Sequence, residues 1–385
     1  MPIVYSMWRY APDLAFWLVA LALHGWMAWR LSRNQAAGRA FLLAGLAVSA
    51  LWISTSVVFS INRFANMMPP DDWLRWMRGL GLLWGLLTVG AFSALLASWA
   101  LRLEDRFQPE RRHFFRVTQG AIVASPAILT GFGVYSARNE FHIKEVDIPI
   151  PGLPKDLQGL RLVQLSDIHM SPFLTAADLR RVVDMANETR PHIALVTGDL
   201  ITGPHDPLEE CLLELSRLKA DAGVLGCLGN HEVFADCEAK TKQMGADLGM
   251  SFLRQESLVL KFGGARLNIA GVDYQPFKLP YLVGAENLVQ PGMTNVLMSH
   301  NPDVFPVAAQ KGFDFTIAGH THGGQMTVEI LHQYLNVARF FTPYVYGHYQ
   351  KDKAALYVTR GIGTVGIPAR IGAPPEITLI RLCAA

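Results

Sequence analysis

The chain has 385 residues, more than one domain usually holds, so two folded units are expected. Hydrophobic residues make up 51% and charged residues 17%, an apolar surplus beyond the needs of a soluble core. A formal charge of +2 argues against a nucleic-acid-binding tract, and no low-complexity stretch or internal repeat is evident.

The surplus lies at the N-terminus. Leu14–Trp29, Ala40–Phe59, Gly79–Leu101 and Val117–Tyr135 contain no Asp, Glu, Lys or Arg. About 20 helical residues cross a bilayer core, so residues 1–137 read as a transmembrane domain of about four helices. The first run is short, and the fourth carries Gln119 and Pro126. An all-apolar soluble helical core is the competing reading, but nothing amphipathic offers it a wet exterior. A cleaved signal peptide fails because no charged leader and A-x-A site flank the first run. His24 reads as a bundle or interfacial residue, and Trp8, Trp26, Trp29, Trp73 and Trp76 fall near span ends, where indoles favour the interface. Arg102, Arg106, Arg111, Arg112 and Arg116 make the third-to-fourth connection the most basic. Placing it in the cytoplasm sends both termini outside, against a small opposing set of Arg9, Arg63, Arg75, Arg78, Arg138 and Lys144.

Residues 138–160 read as a linker leading into the second domain, with Phe141, Ile143, Val146, Ile148 and Ile150 spaced along it. From 161 to 385 the pattern is strand, polar turn, helix. Leu162–Ser166, Ile193–Thr197 and Gly223–Leu228 are predicted strands, and Thr175–Thr189 and Leu208–Leu218 predicted helices, with Thr175 as an N-cap. Leu267–Val272, Asn295–Ser299 and Phe315–Ala318 are further strands with shorter connections. Two sheets stacked face to face, with helices outside, follow from this α/β rhythm. Cys211, Cys227, Cys237 and Cys383 show no C-x-x-C spacing, and Cys227 reads as a buried strand residue.

Most of these strands run into a turn carrying metal-binding side chains. Asp167-Ile168-His169, Gly198-Asp199, Gly229-Asn230-His231-Glu232, Ser299-His300-Asn301-Pro302 and Gly319-His320-Thr321-His322-Gly323-Gly324-Gln325 follow apolar runs. Carboxylate, imidazole and carboxamide suit two hard or borderline divalent cations. A D-x-H or G-D alone is more often a turn residue capping a strand. Alternate histidines on an extended segment, by contrast, point to one side. Five such clusters in order point to metal-assisted hydrolysis of a phosphate ester. Asp199 is the natural bridge, because a carboxylate can share its oxygens between two cations.

On these motifs the chain resembles the calcineurin-like metallophosphoesterases, and within them a bacterial membrane-anchored branch ending in G-H-T-H-G-G-Q. The resemblance covers roughly residues 141–385 and implies a four-layer α/β/β/α sandwich. It also implies that Asp167, His169 and His322 complete a first metal site with Asp199, while Asn230, His300 and His320 complete a second. Manganese, iron or zinc suits these ligands. His231, next to a ligand, would act on the leaving group as general acid or electrostatic stabiliser, the alternative being a structural role. Glu232 and Asp303 are expected to fix imidazole tautomers, and Thr321 to point away. His192 and His205 read as surface residues, while His348 is undecided. The glycine-rich stretch Arg360–Arg370 lacks the G-K-[ST] of a P-loop; either it is a plain turn, or its amides or an arginine meet substrate phosphate.

The expected protein is therefore a phosphodiester or pyrophosphate hydrolase in the bacterial inner membrane, with an extracytoplasmic catalytic domain. Its expected partners are membrane lipid and a lipid-linked or cell-envelope phosphate ester. Related enzymes cleave the pyrophosphate of UDP-2,3-diacylglucosamine, although an outward site would count against a nucleotide-linked substrate. Competing classes are a catalytically silent metal-binding sensor or scaffold, and a transporter, for which His24 is the only intramembrane ionisable candidate.

Overall fold

The computed structural model describes residues 72–100, 109–276, 279–330 and 333–385, together with a few positions between 18 and 29. Two compact units divide the chain: Met1–Val134 with Gly366–Ala369, and Tyr135–Val365 with Arg370–Ala385. In the first unit, α1 (Asp72–Ala100) contains the one helix among the described residues that is long and apolar enough to cross a membrane, Asp72–Ala97, with mean hydropathy 2.0. The expected fourth span falls within the continuous helix α2 (Pro109–Asn139), which carries Pro126 inside it. The expected span 40–59, His24 and most of the span 14–29 lie outside the described residues.

Tyr135–Val365 and Arg370–Ala385 build two six-stranded mixed sheets. The first contains β1 (His142–Ile150), β2 (Arg161–Leu165), β3 (Ile193–Thr197), β4 (Val224–Cys227), β5 (Met250–Phe252) and β14 (Glu376–Ala384), in the order β1-β14-β2-β3-β4-β5. β2 to β5 are parallel, and β14 runs against β2. The second contains β6 (Glu256–Phe262), β7 (Ala265–Gly271), β8 (Thr294–Met298), β9 (Phe315–Ala318), β12 (Gly347–Lys351) and β13 (Ala354–Val358). Its order is β12-β13-β9-β8-β7-β6, with β7, β8, β9 and β13 parallel. A hairpin of β10 (Thr327–Ile330) and β11 (Gln333–Asn336) stands apart.

Strand periodicity assigns the layers, because neighbouring side chains face opposite sides. Leu162, Ile193, Leu195 and Leu225 meet Leu267, Ile269, Val296, Phe315 and Ile317 in the core between the sheets. On the other face of the first sheet, Val163, Leu165, Ala194 and Val196 receive Leu179, Val182, Val183 and Ala186 of α3 (Ala176–Glu188), and Leu208, Cys211, Leu212 and Leu215 of α4 (Leu208–Leu215). The outer face of the second sheet is covered around Val304, Phe305 and Ala308. Four layers result.

The segment 138–160 is built into this sandwich. β1 pairs in parallel with the C-terminal strand, and Ile148, Ile150, Leu153, Leu157 and Leu160 lie in the inter-sheet core. Its alternation of apolar residues is thus that of a strand. The strands expected at 223–228, 267–272 and 295–299 are each displaced by one or two residues at their ends, and the helix expected at 208–218 stops at Leu215. Cys211, Cys227 and Cys237 are buried thiols, and all four cysteines are free.

Thr175 caps α3 as its position suggested. Its hydroxyl accepts from the Asp178 amide, and the Asp178 carboxylate accepts from the Thr175 amide at 3.0 Å, closing a capping box. Asp178 also pairs with Arg138 at 3.2 Å, so the cap ties this helix to the end of α2. Replacing Thr175 by Ala should cost about 1 kcal/mol. On a unit of this size that lowers Tm by about 2–4 °C, read by thermal unfolding; an unchanged Tm would contradict the cap.

Candidate metal centre

The parallel strands of both sheets deliver their carboxyl ends to one edge of the sandwich. Asp167 and His169 follow β2, Asp199 follows β3, Asn230 follows β4, His300 follows β8, and His320 and His322 follow β9. The backbone turns there by an unusual route. Asp167, His169, Asp199, His320 and His322 have φ of 50°, 48°, 56°, 74° and 53°, in the left-handed region. For residues with a Cβ this costs of order 1–3 kcal/mol each and persists only where surroundings enforce it. Cross-loop hydrogen bonds do so: Asp167 N–H donates to Gly198 O and His169 N–H to Asp199 O, both at 3.0 Å.

Six of the seven residues expected as ligands form two compact groups. The ligand atoms of Asp167, His169 and His322 lie within 4.8 Å of one another, as do those of Asp199, His300 and His320. His169 Nε2 approaches His322 Nε2 at 3.1 Å, and His300 Nε2 approaches His320 Nδ1 at 3.1 Å. Asp199 Oδ2 stands between the groups, 3.0 Å from His300 Nε2 and 3.5 Å from His169 Nε2. Asn230 is buried, and its Oδ1 has no hydrogen-bond partner. An orphaned carbonyl oxygen inside a protein is rare and costly. A cation beside it would supply the missing partner.

Electrostatics divides these groups. Burial lowers His169 and His320 to about 3 and holds His322 well below the usual imidazole range, so these rings are neutral lone-pair donors. Burial also works against charge on His300, but the adjacent Asp199 carboxylate outweighs it and lifts the ring to about 10. The same contact holds Asp199 far below the carboxylate range despite its burial. Asp167 is pushed up to about 6 by burial, partly offset by His300. Two buried carboxylates and stacked imidazoles at these distances form a site that extra positive charge stabilises.

Each carboxylate also clamps a neighbouring loop. Asp167 accepts the His320 N–H at 2.9 Å, and Asp199 accepts the His231 N–H at 2.9 Å. Imidazole orientation is set mostly by backbone. His300 Nδ1 is 2.8 Å from Thr197 O, and His231 Nδ1 is 2.7 Å from Thr202 O, while His169 Nδ1 is 3.3 Å from Thr202 Oγ1. Among the described residues neither acid expected to do this hydrogen-bonds to an imidazole. Glu232 is fully buried and accepts the amides of Gly229, Asp199 and Leu200 at 2.7, 2.9 and 2.7 Å, while Asp303 accepts from Thr342 Oγ1. Glu232 is spent on backbone because it sits at the third position of a short helix (Asn230–Phe234), where a carboxylate reaches back to the preceding amide.

Other residues sort as follows. Thr321 turns away and donates to Val345 O. His192 is half-buried, its Nδ1 accepting from the Arg161 amide at 2.9 Å, so it tethers two strand starts and is not a free surface residue. His205 and His348 are exposed. Two contributors had no readable signal: Thr202, which holds His169 and His231, and Tyr274, whose ring lies 5.8 Å from His320 and 6.3 Å from His300. Nothing about an isolated Thr or Tyr marks it; only the fold brings them in. In the 360–370 loop, the amides of Ile362 and Gly363 donate to Ser166 O and Asp167 O, so neither is free for phosphate.

Residues 160–324 match the family model of the calcineurin-like phosphoesterases. The chain is 28% identical over 278 residues to an uncharacterized metallophosphoesterase of Bacillus subtilis, YkuE, covering 71% of this chain and 97% of that one. The chain carries a calcineurin-like phosphoesterase domain. This metal-dependent phosphoesterase is also 30% identical over 283 residues to a zebrafish (Danio rerio) protein described as a transmembrane protein with metallophosphoesterase domain, covering 70% of this chain and 63% of that one. The NAD nucleotidase of Haemophilus influenzae superposes over 53% of the metallophosphoesterase and 45% of its own chain, at 14% identity and a TM-score of 0.36, too slight a likeness to bear on activity. The family uses divalent metals, and three overlapping acid–histidine groups of this metallophosphoesterase, the third being His169, Asp199 and His231, could hold them.

Glu232 offers the sharpest test of how the site is held. Glu232→Ala removes the acceptor that three buried amides find among the described residues, at about 1–3 kcal/mol for each donor left unmade. The variant should unfold at lower temperature and retain less metal after dialysis, measured by thermal unfolding and elemental analysis. Full metal retention with an unchanged Tm would contradict the role.

Proposed function

We propose that the metallophosphoesterase hydrolyses a phosphodiester or pyrophosphate bond in a lipid-linked or cell-envelope substrate, using two divalent ions at the convergent acid–histidine centre. The supporting observation is the juxtaposition of two three-residue groups through Asp199, together with the buried, unpartnered Oδ1 of Asn230 at the end of β4. Asp167, His169 and His322 would hold one ion and Asn230, His300 and His320 the other, with Asp199 shared. Manganese, iron or zinc suits this donor set. Such an ion pair, when bound, neutralises phosphoryl charge and lowers the pKa of water.

His231 is assigned the leaving group. Its ring stands edge-on to His169, with centroids 4.6 Å apart, and its Nδ1 is held at 2.7 Å by Thr202 O, which leaves Nε2 as the ring nitrogen free to meet the leaving group. Asp199→Asn and Asn230→Ala should each lose at least one equivalent of metal and nearly all turnover, by elemental analysis and aryl phosphodiester assay; a variant with two metals and normal turnover would refute the ligand set. His231→Ala should keep both ions yet slow esters of poor leaving groups by about 10²–10⁴-fold, and activated aryl esters much less. Equal losses along the leaving-group series would move His231 to phosphate binding or metal positioning.

A membrane setting supports the lipid-linked substrate. We read residues 1–137 as a bundle of about four spanning helices in a bacterial inner membrane; the helix Asp72–Ala97 is the part of it that meets the requirement among described residues. Large apolar side chains are also exposed on two loops of the catalytic unit: Leu279 and Val283 at 69% and 67%, and Phe340 and Phe341 at 88% and 75%. The Asp303–Thr342 hydrogen bond ties the base of the second loop to the end of β8. Exposed apolar clusters of this kind suit an amphiphile better than a free nucleotide. The UDP-2,3-diacylglucosamine type of pyrophosphate ester is one such amphiphile.

The basic connection Arg102–Arg116 supports a catalytic unit outside the cytoplasm. A single cysteine engineered near Ala385 should therefore react with an impermeant thiol reagent in intact cells. Reaction only after the cells are opened would put the site in the cytoplasm and favour the nucleotide-linked lipid.

A further inference from the structure

Two arginines bound the glycine-rich loop, and the fold treats them oppositely. Arg370 is fully buried. Its Nε donates to Gly363 O at 3.0 Å, and its Nη atoms to Ala373 O at 3.0 Å and Arg360 O at 2.9 Å, with Nη2 3.4 Å from His322 Nδ1. Those donors are consumed by backbone, so Arg370 pins the loop to the metal centre and has nothing left for a ligand.

Arg360 sits at the same edge as the ligands. Register pairs Val358 of β13 with Ala318 of β9, and the Thr359 N–H, just before Arg360, donates to Ala318 O at 3.1 Å. The next residue, Gly361 at φ 68°, touches a ligand: a Cβ there would lie 2.5 Å from Asp167 Cβ and 2.9 Å from its Oδ2. The aliphatic stem of Arg360 crosses Gly323, the residue after His322, so closely that a Cβ on Gly323 would lie 2.8 Å from Arg360 Cγ. That contact explains one glycine of G-H-T-H-G-G physically. The guanidinium stacks over Tyr346 with Cζ 3.9 Å from the ring centroid, and it is partly exposed. Stacking occupies its face and leaves its in-plane N–H fork without a hydrogen bond or carboxylate partner among the described residues.

We propose that Arg360 binds a second, non-reacting phosphoryl group of the substrate beside the metal centre, which makes diphosphate-bridged esters the preferred class. A planar fork on the residue before Gly361, which packs on Asp167, stacked on Tyr346 and unpaired among the described residues, matches the bidentate geometry of a phosphoryl oxyanion. A simple monophosphate diester has only the group at the metals and leaves Arg360 idle. This inference rests on the phosphoesterase centre proposed above and deepens it by naming what flanks the scissile bond.

The test uses the full chain in detergent with manganese, and titrates inorganic phosphate and methylenebisphosphonate by calorimetry. Wild type should bind the bisphosphonate more tightly than phosphate. Arg360→Gln keeps the stem over Gly323 and should weaken bisphosphonate binding about tenfold or more, as expected for losing a charged hydrogen-bond donor, with phosphate changed less than about twofold. Arg360→Lys restores charge without the fork and should recover only part. In turnover, Arg360→Gln should raise KM for a pyrophosphate diester and leave kcat and KM for an aryl monophosphate diester nearly unchanged, with metal content and Tm as in wild type. Equal weakening of both ligands, or none, overturns the proposal. If wild type hydrolyses neither ester, the proposed reaction fails, while the ratio of the two affinities still decides the role of Arg360.

Discussion

Two buried aspartates within reach of the same histidines set the terms for this structure. Asp167 and Asp199 lie in a water-poor edge where burial alone would protonate them. The fold answers with His300 against Asp199 at 3.0 Å, and with backbone N–H donors from His320 and His231 aimed at the two carboxylates. These donors come from loops far apart in sequence. The same contacts that relieve the charge therefore dock the loops, and relieving that charge is inseparable from assembling the site.

The seam between the two sheets carries this assembly. Gln164, on the inter-sheet face of β2, donates to Thr197 Oγ1 at 2.8 Å and across the seam to Ala318 O at 3.0 Å. His300, from the second sheet, reaches Thr197 O of the first. The apolar core between the sheets fixes their spacing, and these few polar ties fix their sliding. Left-handed turns at five candidate positions then become tolerable, because cross-loop hydrogen bonds hold the backbone amides of Asp167, His169, Asp199 and His320. Glu232 joins the same scheme by taking three amides from two ligand loops, which is a stronger use of a buried carboxylate than orienting one ring.

The 360–370 loop extends the logic to the substrate side. Its amides hydrogen-bond to Ser166 and Asp167 carbonyls, Arg370 is consumed inside, and Arg360 remains outward on Tyr346. Rigid backbone at the edge of the metal centre thus presents one charged side chain with unused donors. Sequence spacing alone could not separate the two arginines, since both end the same glycine-rich run.

The candidate residues stood out in the sequence because their chemistry is unusual and each follows a run of apolar strand residues: Asp167, His169, Asp199, His300, His320 and His322 gather into acid–histidine groups, and Asn230 is buried after β4. The α3 cap and the two-sheet, four-layer arrangement were legible for the same reason, since period-2 and period-3.6 patterns report which side is buried. What the sequence could not supply was pairing between distant segments. The stretch at 142–150 became an edge strand only by pairing with the last strand, and Glu232, Asp303 and His192 found partners that their local neighbours do not reveal. Strand pairing and buried hydrogen bonds join residues hundreds of positions apart. Local patterns could determine which side chains face inward, but only the packed tertiary structure decided what they meet there.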